Sequence, residues 1–310
     1  MSELYDLMIL GAGPAGISAA IYAARAGLHT LWLDKQFAPG GQIINTYEVD
    51  NYPGIPGING MELGEVMADH AKKLGISPVR ENVLSIEDYG AEKILRTKKH
   101  EYRGKTLLLA CGASHRKLNI PGEEELSGMG VSYCATCDGA FFKDQTAAVI
   151  GGGNTAVEDA IFLARICKKV YVVHRRSELR ADKILCDRLA ECKNVEMVWD
   201  SIPVRIEGTD QVSGLLVHST KNGEERLLET NGVFIAAGIL PNTDKIANFV
   251  QLDENGYVVA GEDGKTNVPG VFAAGDIRTK NLRQVVTAVA DGANAVASVQ
   301  KYLLNQSGIC

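Results

Sequence analysis

Two cysteines three positions apart, with an acid directly behind the second, make Cys134-Ala135-Thr136-Cys137-Asp138 the stretch best suited to chemistry. That spacing lets the thiols close a small disulfide or share a metal ion. Asp138 favours the disulfide, because a dithiol that exchanges electrons needs a nearby group to take up and return protons. A zinc site would need two further ligands at suitable spacing. No second Cys-x-x-Cys or Cys/His pair exists, so no metal is expected. The remaining cysteines, Cys111, Cys167, Cys186, Cys192 and Cys310, are scattered, and the odd total of seven does not suit a secreted disulfide framework.

Electrons need a supply, and the chain twice repeats a unit able to hold one. A short apolar run, Leu4–Leu10, ends at Gly11-Ala12-Gly13-Pro14-Ala15-Gly16, and an alanine-rich segment follows to residue 26. A second apolar run, residues 29–33, ends at Asp34. This is strand, glycine turn, helix, strand, acid. The first glycine permits the sharp turn, the second admits a pyrophosphate to the backbone, and the third lets helix and strand pack closely. The helix N-terminus offers unpaired N–H groups to the phosphates, and the acid is placed for a ribose hydroxyl.

The same order returns at residues 147–150, at Gly151-Gly152-Gly153-Asn154-Thr155-Ala156, at a helix over 157–166 and at a strand over 170–173. Asp34 and His174 each stand 23 residues after the first glycine of their loops. The second module replaces the acid by His174-Arg175-Arg176, with Arg180 a turn further on. A carboxylate would repel a 2′-phosphate, whereas guanidinium groups pair with it, so this module should take NADP rather than NAD.

Around these lie loop signals at Pro39-Gly40-Gly41-Gln42 and Asp50-Asn51-Tyr52-Pro53-Gly54, an amphipathic helix over 61–74, and a small antiparallel sheet over 83–101. Apolar strands end in glycine at Gly112, Gly238 and Gly275, the last followed by Asp276. A helix over 181–192 carries Cys186 and Cys192, and an alanine- and valine-rich helix closes the chain after Arg283-Gln284. At 310 residues, 45% hydrophobic and 23% charged, the chain suits two soluble α/β modules, and a net charge of −6 does not suggest nucleic acid as partner. No apolar run approaches the roughly 18 residues of a membrane span, and no signal peptide is visible, so a cytoplasmic location is expected.

In combination, Cys-Ala-Thr-Cys-Asp at 134–138, Gly-Gly-Gly-Asn-Thr-Ala at 151–156, His-Arg-Arg at 174–176 and Phe-Ala-Ala-Gly-Asp at 272–276 resemble the bacterial low-molecular-weight thioredoxin reductases, nearly end to end. The resemblance implies two Rossmann-like three-layer domains. An FAD domain is split between residues 1–115 and 245–310, and an NADPH domain, residues 116–244, is inserted between its parts. It implies that Gly11, Gly13, Pro14, Ala15, Gly16 and Asp34 hold the FAD pyrophosphate and ribose, with Lys35, Gly40, Gly41, Gln42 and Asn51 along the cofactor. Asp276 would hold its ribityl and phosphate region, and Arg283, Gln284 and Val285 would lie at the flavin ring. NADPH would fall to Gly151, Gly153, Asn154, Thr155, His174, Arg175, Arg176 and Arg180.

By the same resemblance, electrons pass from NADPH through FAD to Cys134–Cys137 and on to thioredoxin. Cys137 faces the flavin, Cys134 attacks the substrate disulfide, Asp138 handles protons, and the protein is a homodimer whose inserted domain rotates near residues 114–118 and 241–244. Three features depart from the family: Cys111 where threonine is commoner, Leu179 where an aromatic is common, and the lone terminal Cys310, read as a frayed end. The rival within the fold is a flavin disulfide reductase serving another redoxin or fed by ferredoxin, and a ferredoxin-fed protein would not need the His-Arg-Arg clamp.

Overall fold

The computed structural model describes residues 3–46 and 49–307, so Cys310 lies outside the described residues. Its contacts divide into two units. One comprises residues 1–44, 52–114 and 240–310, and the other residues 45–51 and 115–239.

The first unit opens with β1 (Leu4–Leu10), α1 (Pro14–Arg25) and β2 (Thr30–Asp34). Pro14 suits the first helical turn, where its missing N–H costs nothing, and Gly27, at φ +68°, follows the helix's end. After a 3₁₀ turn at Gly41–Asn45 come α2 (Gly60–Lys73), β3 (Val79–Arg80), β4 (Ser85–Asp88), β5 (Lys93–Arg96), β6 (Glu101–Leu109) and β7 (Ala113–His115). The strand order is β3-β2-β1-β6-β5-β4. The first half of β6 pairs antiparallel with β5, from Glu101 opposite Arg96 to Gly104 opposite Lys93.

The second unit has β8 (Val131–Ser132), the short helix α3 (Ala135–Asp138), a 3₁₀ turn at Gly139–Phe142, β9 (Thr146–Ile150), α4 (Asn154–Ala164), β10 (Lys169–Val173) and α5 (Lys183–Ala190). Then follow β11 (Val195–Val198), β12 (Ser201–Gly208), β13 (Val212–Ser219), β14 (Glu225–Glu229) and β15 (Gly232–Ile235). Its parallel sheet runs β11-β10-β9-β15-β8, and β12–β14 form an antiparallel sheet. Successive side chains of the parallel strands point to opposite faces, and both faces are covered. Val149, Val172 and Phe234 pack toward α4, while Ile150, Val173 and Ile235 meet Ile206 and Leu215 of the antiparallel sheet.

The chain re-enters the first unit through β16 (Ile239–Pro241), which pairs with β7. β17 (Val271–Ala273) joins the second half of β6 in parallel, and α6 (Val285–Ser307) follows. The alternation repeats here: Leu7, Ile9 and Leu108 pack toward α1 and α6, and Met8, Leu10, Leu107 and Leu109 fill the opposite face. Helices α1 and α6 approach closely because Gly292 has no side chain; a Cβ there would lie 2.2 Å from the Ala15 carbonyl oxygen. The chain is therefore two α/β modules, the first with a mixed and the second with a parallel central sheet, each built around one strand–glycine turn–helix unit.

Candidate active site

The first glycine turn is held open by sterics that only glycine meets. Gly11 lies at φ +112°, and a Cβ on Gly16 would sit 1.9 Å from the Gly11 carbonyl oxygen. Gly13 is different: its nearest neighbour would be the Gly41 Cα at 3.9 Å, so the protein leaves that side clear. Gly40 donates its N–H to Ala12 O at 2.7 Å, laying the second glycine loop over the first, and Gln42 donates to Ala113 O. Asp34 ends β2 and accepts hydrogen bonds from the Ala12 and Gln36 amides, which orient its carboxylate at the turn; Lys35 beside it is exposed. Asn51 groups with residues 45–51, in the other unit.

From late in the sequence, β17 delivers Gly275 and Asp276 to the same end of the sheet. A Cβ on Gly275 would meet the Ala15 side chain at 2.9 Å, so Asp276 follows directly from the point where the strand end touches the start of α1. Asp276 Oδ1 is buried without a hydrogen-bond partner. Burial pushes this carboxyl up, against the pull of the Lys280 and Arg283 charges. The Arg283 guanidinium lies 4.0 Å from the centre of the Tyr257 ring, and its Nε is likewise buried and unpartnered. Gln284 N–H donates to the Thr287 hydroxyl at 3.2 Å, and Val285 begins α6.

A buried ionic knot that the motifs do not reveal holds this corner together. Asp291 of α6 accepts from Arg278 at 2.9 and 2.6 Å, from Lys280 at 2.9 Å and from the Gly275 amide at 2.9 Å. Burial alone would raise the Asp291 carboxyl, but the two cations outweigh it and hold it below the ordinary range. The only local signal is a lone acid in an alanine-rich helix.

In the second unit, Gly151 would drive a Cβ to 2.6 Å from Ala236 O, while nothing lies within 4 Å of a Cβ on Gly153. Asn154 and Asp182 bond reciprocally at 2.8 and 2.9 Å, and Arg180 N–H donates to Gly152 O at 2.7 Å, tying the arginine loop to the glycine turn. Thr155, Arg175, Arg176 and Arg180 are exposed. His174 is not. Its ring lies beneath Gly152, where a Cβ would collide at 2.3 Å, and packs edge-on to Trp199. Burial, then the charge of Arg180, pushes the imidazole toward its neutral form. Of the four basic residues predicted to meet a phosphate, the three arginines are thus the exposed ones.

The cysteine pair occupies the same unit. Cys134 caps α3 and is joined to Cys137 by a disulfide, with Cα atoms 5.3 Å apart. Asp138 closes this one-turn helix. Its Oδ2 accepts from the Ser132 hydroxyl at 2.6 Å, and Oδ1 is buried without a partner. Burial raises the Asp138 carboxyl, and the Ser132 bond offsets part of that rise. Ahead of the pair, Tyr133 stacks on His115 and donates to Glu123 at 2.8 Å. Glu123 also accepts from the Leu118 and Asn119 amides at 2.9 and 2.6 Å, fixing the incoming chain. Neither Ser132 nor Glu123 carries a motif that would have singled it out.

The other described cysteines are not arranged for exchange. Burial pushes the thiols of Cys111 and Cys167 up to about 11. Cys186 and Cys192 border one cavity of about 580 Å³ beside Leu189 and Trp199, because the chain turns after α5 and brings the second thiol round. Among the described residues no group of three or more His, Cys, Asp or Glu could hold a metal, and no helix is long and apolar enough to cross a membrane.

A model of the pyridine nucleotide-disulphide oxidoreductase family matches residues 5–292. The thioredoxin reductase of Listeria monocytogenes is 45% identical over 302 residues, spanning 97% of this chain and 94% of that protein. That of Bacillus subtilis is 44% identical over 306 residues, spanning 98% and 96%. The crystal structure of thioredoxin reductase from Streptococcus pyogenes superposes with a TM-score of 0.93 at 44% identity, covering 98% of this chain and all of that one.

Proposed function

Because the chain belongs to the pyridine nucleotide-disulphide oxidoreductase family, we propose that its Cys134–Cys137 disulfide is the outlet of an NADPH- and FAD-dependent thioredoxin reductase. The observation that carries this reading is the pairing of that disulfide with a half-buried Asp138, whose Oδ1 is buried without a partner, in the unit that also presents three exposed arginines at a glycine turn.

The residues fit both cofactors. Gly13 and Gly153 leave their turns clear for pyrophosphate, and Asp34 stands where a ribose hydroxyl can be bound. Asp276 Oδ1 and Arg283 Nε are buried polar atoms lacking the partner that a ribityl chain and flavin ring would supply. Lys35, Gly40, Gly41, Gln42, Gln284 and Val285 complete the proposed FAD contacts. Gly151, Asn154, Thr155, Arg175, Arg176 and Arg180 hold NADPH, with His174 supporting the turn from below. Bound FAD supplies the two-electron relay between nicotinamide and disulfide.

The chain's own work is proton and thiol chemistry. Opening the disulfide takes two electrons and leaves two sulfurs that need two protons to become thiols. Asp138 lends a proton to the pair and recovers one when the Cys134 sulfur, as thiolate, attacks a disulfide of thioredoxin. The Cys137 sulfur then attacks the Cys134 sulfur of the mixed disulfide, restoring the Cys134–Cys137 bond and expelling the partner's second sulfur, so that the partner leaves with two thiols once protons from the pair and from water are taken up. We place the FAD domain at residues 1–115 and 245–310 and the NADPH domain at 116–244, turning on the two connections at 114–118 and 241–244. A crosslink that locks the domains together abolishes turnover; a locked enzyme with full activity would refute the rotation. The protein works as a cytoplasmic homodimer in this reading, checked by sedimentation.

The spectral test is direct. Purified protein is yellow, and NADPH bleaches its flavin far faster than NADH does. Oxidised thioredoxin with a chromogenic disulfide then sustains turnover. Bleaching by reduced ferredoxin and not by NADPH would replace this reading with the ferredoxin-fed one.

A further inference from the structure

Ser132 ends the edge strand β8 two residues before the redox pair, and its side chain is almost fully buried. Its hydroxyl accepts the Cys134 N–H at 3.0 Å and lies 2.6 Å from Asp138 Oδ2. A hydroxyl has one proton to give. The competing acceptor, Cys134 O, is at 3.3 Å, so the shorter, charge-assisted bond to the carboxylate takes it. The two oxygens of Asp138 therefore differ: Oδ2 is held, and Oδ1 is buried and open. A neutral Asp138 keeps Oδ2 as an acceptor only if its proton sits on Oδ1.

We propose that Ser132 is a positioning residue for disulfide exchange, locking Asp138 Oδ2 so that Oδ1 alone trades protons with the cysteine pair, and tying that lock to the Cys134 amide. This rests on the reading of Asp138 as the proton carrier. The proton leaves Oδ1 for sulfur, the carboxylate that remains is held by Ser132, and the reverse transfer restores the acid. No oxidant or reductant is needed beyond those of the main reaction.

Other ionisable groups stand on the elements around α3. Helix α4, packed against it, carries Glu158 and Asp159, and Asp159 is raised to about 7 by burial and by Glu158. Tyr133, Glu123 and His115 lie on the side of the incoming chain. Burial raises the Asp138 carboxyl and the Ser132 bond lowers it.

The test compares Ser132→Ala, Ser132→Thr and Asp138→Asn by two readouts. One is infrared titration of the oxidised protein, with the Asp138 carboxyl band identified by its loss in Asp138→Asn. The other is the pH profile of thioredoxin reduction by the FAD-loaded enzyme. Removing the donor destabilises the carboxylate, so Ser132→Ala binds the proton about tenfold more tightly and the midpoint moves to higher pH. The activity limb moves with it, and Ser132→Thr returns both toward wild type. The same displacement persists in an Asp159→Asn background. A uniform loss of activity at every pH, with the band's midpoint unmoved, would overturn the role of Ser132. A wild-type pH profile in Asp138→Asn would instead overturn the reading on which it rests.

Discussion

Asp291→Asn is the most informative single change, because it alters charge while keeping shape at the corner that holds Asp276. In the native chain Asp291 and the charged ends of Arg278 and Lys280 are all nearly out of water, at 4%, 4% and 6% exposure. An asparagine retains one acceptor oxygen but takes the buried counter-charge from both cations, leaving Arg278 only the exposed Glu262 at 3.4 Å. Breaking a buried pair in this way costs about 3–5 kcal/mol. At ~2–4 °C per kcal/mol for a chain approaching this size, the thermal midpoint falls by about 10 °C. Circular dichroism gives the unfolding, and the rise of free-flavin fluorescence gives cofactor release.

The pH dependence supplies a second, independent check. Asp291 is held below the ordinary carboxylate range, so its contribution is fully present above the unfolded value, about 3.9, and is lost as pH falls through the folded value. The gap between wild type and Asp291→Asn is therefore constant near neutrality and closes in acid. Replacing Arg278, Lys280 and Asp291 together by Met, Met and Leu removes the three charges of the knot and restores most of the stability. It does not restore the acceptor for the Gly275 amide, so flavin is still held loosely. A midpoint unchanged by Asp291→Asn at pH 7, or a gap that persists undiminished in acid, would refute the ionic knot as the support of this corner.

Other changes test the two nucleotide turns. Arg175→Ala or Arg176→Ala raises KM for NADPH about tenfold, since each exposed guanidinium contributes a charge-assisted bond discounted by solvent, while KM for NADH stays put; equal effects on both nucleotides would contradict the assignment. Gly13→Ala folds with wild-type stability but loses flavin, because the added methyl meets protein only at 3.9 Å, whereas Gly16→Ala, with its methyl 1.9 Å from Gly11 O, unfolds at a lower temperature. Flavin content measured against thermal midpoint separates the two, and parallel losses in both variants would show that Gly13 is structural.

The contrast between the glycines and Asp291 explains what could be read before folding and what could not. The glycine turns act through spacing along the chain. Gly16 must be glycine because it meets Gly11 five residues earlier, and that constraint survives in any strand–turn–helix unit. The acid or arginines after each second strand are equally local, so a dinucleotide site in the first module and the NADP preference of the second are legible from residues alone, whereas FAD itself rests on the family resemblance. His174 shows the limit of such reasoning. Its position in the basic run suggested a phosphate ligand, but β10 buries that first residue beneath Gly152, leaving the next ones to face solvent. Asp291 and Ser132 lie beyond that limit, since their meaning depends on partners brought in by topology. Asp291 meets Gly275 only because β17 docks beside β6 and α6 folds back on α1. Ser132 reaches Asp138 because β8 is pinned along β15, a strand a hundred residues later, which sets the angle at which the chain enters α3. The residues proposed to bind a cofactor are thus announced by motif, whereas the residues that set how an acid is held are placed by the fold. It follows that exchanging motifs between relatives can transfer nucleotide preference, but it transfers the proton affinity of Asp138 only if strand β8 and its serine travel with it.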